Sequence, residues 1–354
     1  MQDRVKPCLT GILFLAFGSA LPVTAQLPTT RLTNSIFVQT AGIPGAAAVK
    51  VNLIADAGFN GIMCEEASAQ LPELLTTLQQ RNKSMVGIWR NAHEDIAGDV
   101  KTLGTAGPYI FLYMPLSLYT TDAQAAAAAA AVADLVAPSG RKVAIYPHAP
   151  DYVSNSLDAA KIAKLANRPN LGISFNLCHE LMYCNINHKN FAARFDSLTR
   201  LYMPYIMTAS ISGGDSVGDN WGVLIRPLGE GTFDVFPVVK KLMDRNFKGP
   251  FLLQAFGITQ SPAVHLAKSM SVWQDFQKRL PAIYGCMDTN YKEFDPLANV
   301  SNPEACLTRL STPVLEVSAR KPGILDVTLF NVQGRELNLK SRSPRAAVVP
   351  LNKR

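Results

Sequence analysis

Cysteine is scarce in this chain: six residues among 354, with no Cys-x-x-Cys pair anywhere. That excludes a disulfide-stapled scaffold and a paired-cysteine zinc site. No apolar run reaches the roughly 20 residues that a membrane-spanning helix needs. No Gly-x-Gly-x-x-Gly follows the first strand-like run, so the fingerprint of a dinucleotide-binding, doubly wound sheet is missing. Glycine and proline, at 23 each, are ordinary loads, which removes collagen-like and low-complexity classes. Charged residues are few, 17% against 48% hydrophobic, and mean hydropathy is +0.09. A chain of that composition buries a core and is not intrinsically disordered. Its length suits two average domains or one α/β barrel of about 250 residues.

Residues 1–25 read as a secretory signal peptide. Arg4 and Lys6 give a positive start, Cys8 to Leu21 a mostly apolar run, and Val23-Thr24-Ala25 small residues for cleavage before Gln26. Read as a membrane anchor, the same run is too short to span. The expectation is an exported protein, periplasmic or extracellular, with no stable membrane insertion. Five cysteines then remain, an odd number, so at least one thiol stays unpaired or pairs between chains. Cys286 and Cys306 flank a polar, turn-rich stretch and are the best disulfide candidates in an oxidising compartment. Cys178 and Cys184 are a weaker pair, and Cys64, in an apolar run, reads as a buried free thiol.

The formal net charge is +7, unevenly spread. From Thr312 onward, Arg320, Lys321, Arg335, Lys340, Arg342, Arg345, Lys353 and Arg354 face only Glu316, Asp326 and Glu336, which is +5. Arg4 and Lys6 against Asp3 give +1, leaving +1 for residues 26–311. The basic character therefore belongs to the tail and does not describe a nucleic-acid groove.

Between residues 36 and 280, short apolar runs alternate with helical periodicity. Strands are expected at 36–38, 61–64, 85–89, 109–114, 142–146, 172–177, 205–211 and 251–256. Helices are expected at 46–58, 72–81, 94–103, 121–136, 156–166, 191–202, 233–245 and 263–280. Asp122 and Ser156 stand where they would cap two of the helices, and Gly58 where it would end the first. The seven alanines from Ala125 to Ala131 suit a helix, alanine being the strongest helix former. Continuous apolar strands alternating with helices indicate a parallel sheet covered on both faces. Eight such units over about 245 residues indicate a (β/α)8 TIM barrel, residues 26–280. A looped connector, 281–312, follows. A basic β-rich appendage, 313–354, shows alternating runs with a Gln333-Gly334 turn.

In a barrel of this type the site is built where strands end and βα loops begin. The polar residues at those ends are Gln39, Glu65, Glu66, Trp89, Arg90, Tyr113, Tyr146, His148, Asn176, His179, Ser210, Ser212, Asp215 and Gln254, with Arg226 and Glu230 in the long seventh loop. His148 and His179, at the ends of neighbouring strands, are candidate catalytic groups, because imidazole transfers protons near neutral pH. Glu65, Trp89, Tyr146, Asn176, Arg226 and Gln254 are candidate substrate contacts. His93, His188 and His265 are expected to be solvated.

Val143-Ala-Ile-Tyr-Pro-His148, Gly172-Ile-Ser-Phe-Asn-Leu-Cys-His179, Pro227-Leu-Gly-Glu-Gly-Thr-Phe-Asp234 and Gly249-Pro-Phe-Leu-Leu-Gln-Ala-Phe-Gly257 resemble the xylose isomerase-like barrel family of sugar and sugar phosphate isomerases and epimerases. The resemblance covers roughly residues 36–280. It implies Glu-x-His after strand five, Asp-x-x-His after strand six, a strand-seven His and a strand-eight Glu. The two Glu, the Asp and the strand-seven His would hold a divalent cation. This chain has Tyr146, Asn176, Ser210 and Gln254 at those positions, while His148, His179 and Arg226 match substrate-contacting residues. An amide carbonyl can still ligate a hard cation, but without a carboxylate most charge neutralisation is lost. The expectation is a sugar pocket with no metal and no other cofactor.

Two readings follow. One is an enzyme acting on a sugar or keto-sugar by proton transfer next to a carbonyl, with His148 or His179 as base and Tyr146 and Arg226 polarising an oxygen. The other is a noncatalytic carbohydrate-binding barrel, with Trp89 and the tyrosines as stacking surfaces. The abasic-site endonucleases of the same family need several metal-binding carboxylates and a basic face, which residues 26–311 lack.

Overall fold

The computed structural model describes residues 29–310 and four short strands beyond them, 317–319, 325–327, 329–330 and 336–337. The expected signal peptide and most of the basic tail lie outside the described residues.

Eight strands form one closed parallel barrel in sequence order. They are β1 (Ile36–Gln39), β2 (Gly61–Cys64), β3 (Ser84–Arg90), β4 (Tyr109–Leu112), β5 (Lys142–Ile145), β6 (Leu171–Asn176), β7 (Ile206–Ile211) and β8 (Phe251–Leu253). β8 closes on β1, with Val38 opposite Leu253. The helices are α1 (Ala47–Asp56), α2 (Leu71–Gln80), α3 (Ile96–Leu103), α4 (Asp122–Val136), α5 (Ser156–Ala166), α6 (Leu177–Ile186), α7 (Phe191–Leu201), α8 (Trp221–Leu224), α9 (Phe236–Asp244) and α10 (Pro262–Arg279). This is a TIM barrel.

Strand alternation divides the core into two layers. Outward residues such as Val38, Ile62, Ile110 and Ile145 join the large cluster beneath the helices. Phe37, Met63, Val86, Phe111, Ala144 and Leu252 form a separate cluster, with the Tyr146 ring packed on it from above. These residues fill the barrel interior, so it is a packed core and not a pore. One pleat further along the same inward faces stand Gln39, Glu65, Tyr146 and Gln254, all in the next layer up. The strands thus deliver a polar layer to their C-terminal ends without breaking the pattern.

The alanine run forms α4, with its inner alanines fully buried against the barrel. Two caps differ from expectation. Thr121 accepts the Gln124 amide and caps α4, and Asp122 is the first helical residue. Asn155 accepts the Asp158 amide and caps α5 ahead of Ser156. Gly58, at φ 89°, lies one position past the α1 cap residue Ala57.

The sequence pattern missed two helices, α6 and the one-turn α8; of these α6 is the longer. Cys178, His179, Glu180, Leu181, Met182 and Cys184 are all buried, so the helix is covered on several sides and shows no single apolar stripe. His265 is a second departure: expected in solvent, it is fully buried in α10, and neither ring nitrogen has a hydrogen-bond partner. His93 and His188 are exposed.

After α10 the chain continues through two-residue strands β9 (Tyr284–Gly285) and β10 (Val300–Ser301), paired in parallel. A disulfide joins Cys286 to Cys306. Cys64, Cys178 and Cys184 are free and buried, so the second cysteine pair does not form. Within the tail, 317–319 pairs antiparallel with 325–327, and 329–330 with 336–337. No helix among the described residues is long and apolar enough to cross a membrane.

Candidate active site

A cavity of about 360 Å³ opens at the C-terminal end of the barrel, lined by Ala41, Glu65, Trp89, Tyr146, His148, His179, Trp221, Ile225, Gln254 and Phe256. Such a volume suits one small ligand. The first and eighth loops meet tightly beside it. A side chain at Gly42 would fall 2.1 Å from the Ala255 backbone, so only glycine lets Ala41 and Phe256 stand on adjacent walls.

The floor is a chain of neutral hydrogen bonds. Gln39 Nε2 donates to Ser210 Oγ at 2.7 Å. Tyr146 Oη donates to Gln39 Oε1 at 3.0 Å, and Gln254 Nε2 donates to Tyr146 Oη at 3.5 Å. Gln254 Oε1 accepts the amides of Ala255 and Phe256, both at 3.0 Å. Asn176 is fully buried under this floor, its Nδ2 donating to the Pro147 carbonyl at 3.4 Å.

Tyr146, Asn176, Ser210 and Gln254 are the residues that the resemblance sets at the family's metal-ligand positions. They do not fit a divalent cation. None carries charge, and Tyr146, Gln254 and Ser210 already satisfy one another through Gln39. Among the described residues no group of three or more His, Cys, Asp and Glu stands together in a way that could hold a metal.

The titratable groups sit on the walls. Glu65, just past β2, is pushed up to about 8, first by burial and then by the adjacent Glu66, so it holds a proton at neutral pH. Glu66 points to Lys50 at 2.6 Å and to Thr40 Oγ1 at 2.5 Å. Burial works against its ionisation, but these partners hold it below the usual carboxylate range. Two neighbouring carboxyls are thereby driven to opposite protonation states.

His179, in the first turn of α6, has Nδ1 accepting the Ala149 amide at 3.0 Å. An amide can only donate, so the ring proton is on Nε2. Burial, and secondarily His148, holds its pKa well below the ordinary histidine value. His179 is therefore a neutral donor, and of the two imidazoles expected to supply the base it is the one unsuited to that role. His148 stands 4.6 Å away, centroid to centroid. Its Nδ1 faces Asp151 Oδ2 at 3.1 Å. With the carboxylate accepting that proton, Nε2 retains its lone pair.

Trp89 stacks on Tyr113 with centroids 3.8 Å apart, and its Nε1–H has no protein partner. Trp221, from the short helix α8, meets His179 edge-on at 4.9 Å. Sequence reasoning passed over Trp221, Ile225, Phe256 and Ala41. A tryptophan in the polar, glycine-rich stretch 212–222, one of three in the chain, was the available signal.

Arg226 is not in this cavity. Its guanidinium pairs with Asp215 at 2.6 Å, and its backbone bridges to Gly213. The seventh loop is long enough to fold on itself, and the arginine closes that fold. Asn176 likewise lies beneath the lining. The structure thus brings Glu65, Trp89, Tyr146, His148, His179 and Gln254 together and leaves Arg226 and Asn176 outside.

Strand order, a closed polar floor and a walled cavity at the strand ends define a (β/α)8 barrel with one small-ligand cavity. The model of the xylose isomerase-like TIM barrel matches residues 102–276, and the chain belongs to that family as a divergent member. Among solved structures, the apo form of the 3-keto-D-glucoside 4-epimerase YcjR from E. coli is similar at 13% identity. Its match covers 68% of this chain and 99% of that one, with a TM-score of 0.55. The IOLI protein with a binding zinc atom is 14% identical over 70% and 99% of the two chains, with a TM-score of 0.54. The probable 3-DHS dehydratase AsbF from Bacillus anthracis is 12% identical over 68% and 98%, with a TM-score of 0.52. At such identities the likeness establishes the fold. Compared with curated proteins by sequence, the chain matches none of them.

Proposed function

We propose that this protein is an exported sugar isomerase or epimerase that moves a proton next to a carbonyl without a bound divalent metal. The observation that carries the reading is the presence, in the lining of one cavity, of an Asp151-oriented His148 and a Glu65 that holds its proton. His148 Nε2 takes the proton from the carbon beside the carbonyl. The enolate oxygen is met by the Glu65 carboxyl proton and by His179 Nε2–H, replacing the charge a metal would supply. His148 returning the proton to the neighbouring carbon moves the carbonyl, whereas inversion takes a proton from solvent on the opposite face while His148 releases the one it took to water. Trp89 and Tyr146 bound the ring faces. The names of the similar structures, an epimerase and a dehydratase, belong to the same chemistry of carbon acids beside carbonyls.

Export rests on residues 1–25 and is supported by the Cys286–Cys306 disulfide, a bond of oxidising compartments. Small sugars are the proposed partners, and nucleic acid is not, because residues 26–311 carry almost no net charge.

The test is exchange in D2O. Keto-sugars incubated with the mature protein should gain one deuterium beside the carbonyl, in the presence of chelator, and His148→Ala should abolish the gain. One observation favours a second reading, a noncatalytic carbohydrate-binding barrel: the floor keeps shape and hydrogen bonding while every charge is gone. Sugar binding without exchange for any keto-sugar would select it.

A further inference from the structure

The cavity holds no cation. Neither lysine nor arginine lines it, and Arg90 and Arg226, next in sequence to the lining residues Trp89 and Ile225, are committed to Asp99 and Asp215, as Lys50 is to Glu66, each at 2.6 Å. The Arg90–Asp99 pair is fully buried, so its guanidinium cannot turn toward a ligand. A phosphate or carboxylate entering here would lose its hydration and find no fixed positive charge. It would also deprive Glu65 of any reason to ionise.

The cavity is also two-ended in its chemistry. The inner end presents Glu65, Tyr146, His179 and Gln254. The outer end presents the rings of Trp221 and Phe256, and Phe256 is 48% exposed. Loops at the same end of the barrel expose Leu116 and Val217, at 63% and 78%. A free monosaccharide held against the polar inner end would leave that outer wall unused. An aromatic ring attached to a sugar would stack there.

We propose that the cavity takes an uncharged glycoside, its sugar ring inward against Glu65, His179 and Gln254 and its apolar or aromatic aglycone outward against Trp221 and Phe256. The proposal rests on the sugar reading above and names the class of sugar derivative.

The test is calorimetric titration of the mature protein with phenyl and methyl β-glycosides of D-glucose, D-galactose and D-xylose, with D-glucose 6-phosphate and D-fructose 6-phosphate, and with phenol. One phenyl glycoside should bind about tenfold tighter than its methyl counterpart, a typical worth for one aromatic contact. The phosphates should not bind measurably. Phe256→Ala should narrow the phenyl-to-methyl ratio toward one, which a purely structural role would not do. Equal binding of phenyl and methyl glycosides overturns the aglycone assignment while the sugar reading stands. Tighter binding of either phosphate overturns the uncharged ligand while the sugar reading stands. Binding of phenol alone, or of none of the sugars, overturns both.

Discussion

Tyr146 donates its hydroxyl proton to Gln39 Oε1 across 3.0 Å, joining the end of β5 to the end of β1 through the middle of the barrel. The contact is buried, and both residues stand in the inward-facing polar layer. Tyr146→Phe keeps the ring and removes the hydroxyl, leaving Gln39 Oε1 and Gln254 Nε2 without this partner. The expected cost is about 1–3 kcal/mol in urea unfolding, the usual penalty for orphaning buried polar atoms. A loss below about 0.3 kcal/mol would mean that water replaces the hydroxyl and that the floor is not a closed network.

Glu65 gives a pH signature of definite sign. Its folded-state value of about 8 lies above its ordinary 4.5, so the folded state binds the extra proton. The associated stability is complete below about pH 4.5 and is lost as pH rises through about 8. Glu65→Gln should remove that decline and raise stability at pH 8.5 by roughly 1–3 kcal/mol. It should also slow deuterium exchange, because an amide N–H stabilises the enolate oxygen less than a carboxylic acid does. If the variant is no more stable than wild type at high pH, Glu65 is not held protonated.

His179 has the opposite sign. Burial holds its folded value well below 6.5, so stability is present above pH 6.5 and lost as pH falls below it. His265, also buried and also lowered, contributes in the same direction. His179→Asn can still accept the Ala149 amide but cannot titrate, so its melting temperature should fall less steeply below pH 6.5. His179→Ala leaves the amide unpaired and should cost about 1–3 kcal/mol at pH 7. Identical acid slopes for wild type and His179→Asn would remove the assignment.

Arg226 was expected to hold substrate and instead closes the seventh loop on Asp215. The pair is partly exposed, so Arg226→Gln should cost only about 0.5–1 kcal/mol. Ligand affinity should change less than about twofold, since the guanidinium is outside the cavity. A tenfold loss of affinity with stability intact would return the arginine to the site.

The neutral floor predicts indifference to chelators. A metal bound to the folded state would raise its stability by mass action. Melting curves with and without EDTA should superimpose, and purified protein should contain no stoichiometric Mn, Mg, Co or Zn by mass spectrometry. One tightly held equivalent would show that Tyr146, Asn176, Ser210 and Gln254 do not occupy the ligand positions.

The barrel was legible because both of its repeating signals are local. Runs such as Gly61–Cys64 and Tyr109–Leu112 are apolar throughout, since one side faces helices and the other faces the barrel interior. Glu65, Tyr146, His148 and Gln254 could be picked because they are polar residues that closely follow such apolar runs. Trp221 and Phe256 lie on loops, where no period operates, and their approach to the cavity depends on how α8 and the eighth loop fold. α6 escaped because a helix buried on several sides has no polar face to set its phase.

Residue types and their order along the strands decided by themselves that this chain closes into eight strand–helix units, and that four positions at one end of the barrel carry no charge. Those are properties of local periodicity and side-chain chemistry. Only tertiary structure decided what each polar group does there. Glu65 keeps its proton because neighbours exclude water from it, and Glu66 is ionised because the Lys50 ammonium donates to it. His179 is a donor because the Ala149 amide, 30 residues away, takes its other nitrogen. Arg226 is spent on Asp215. Protonation and pairing depend on distance and burial, which arise only when segments far apart in the chain are brought together.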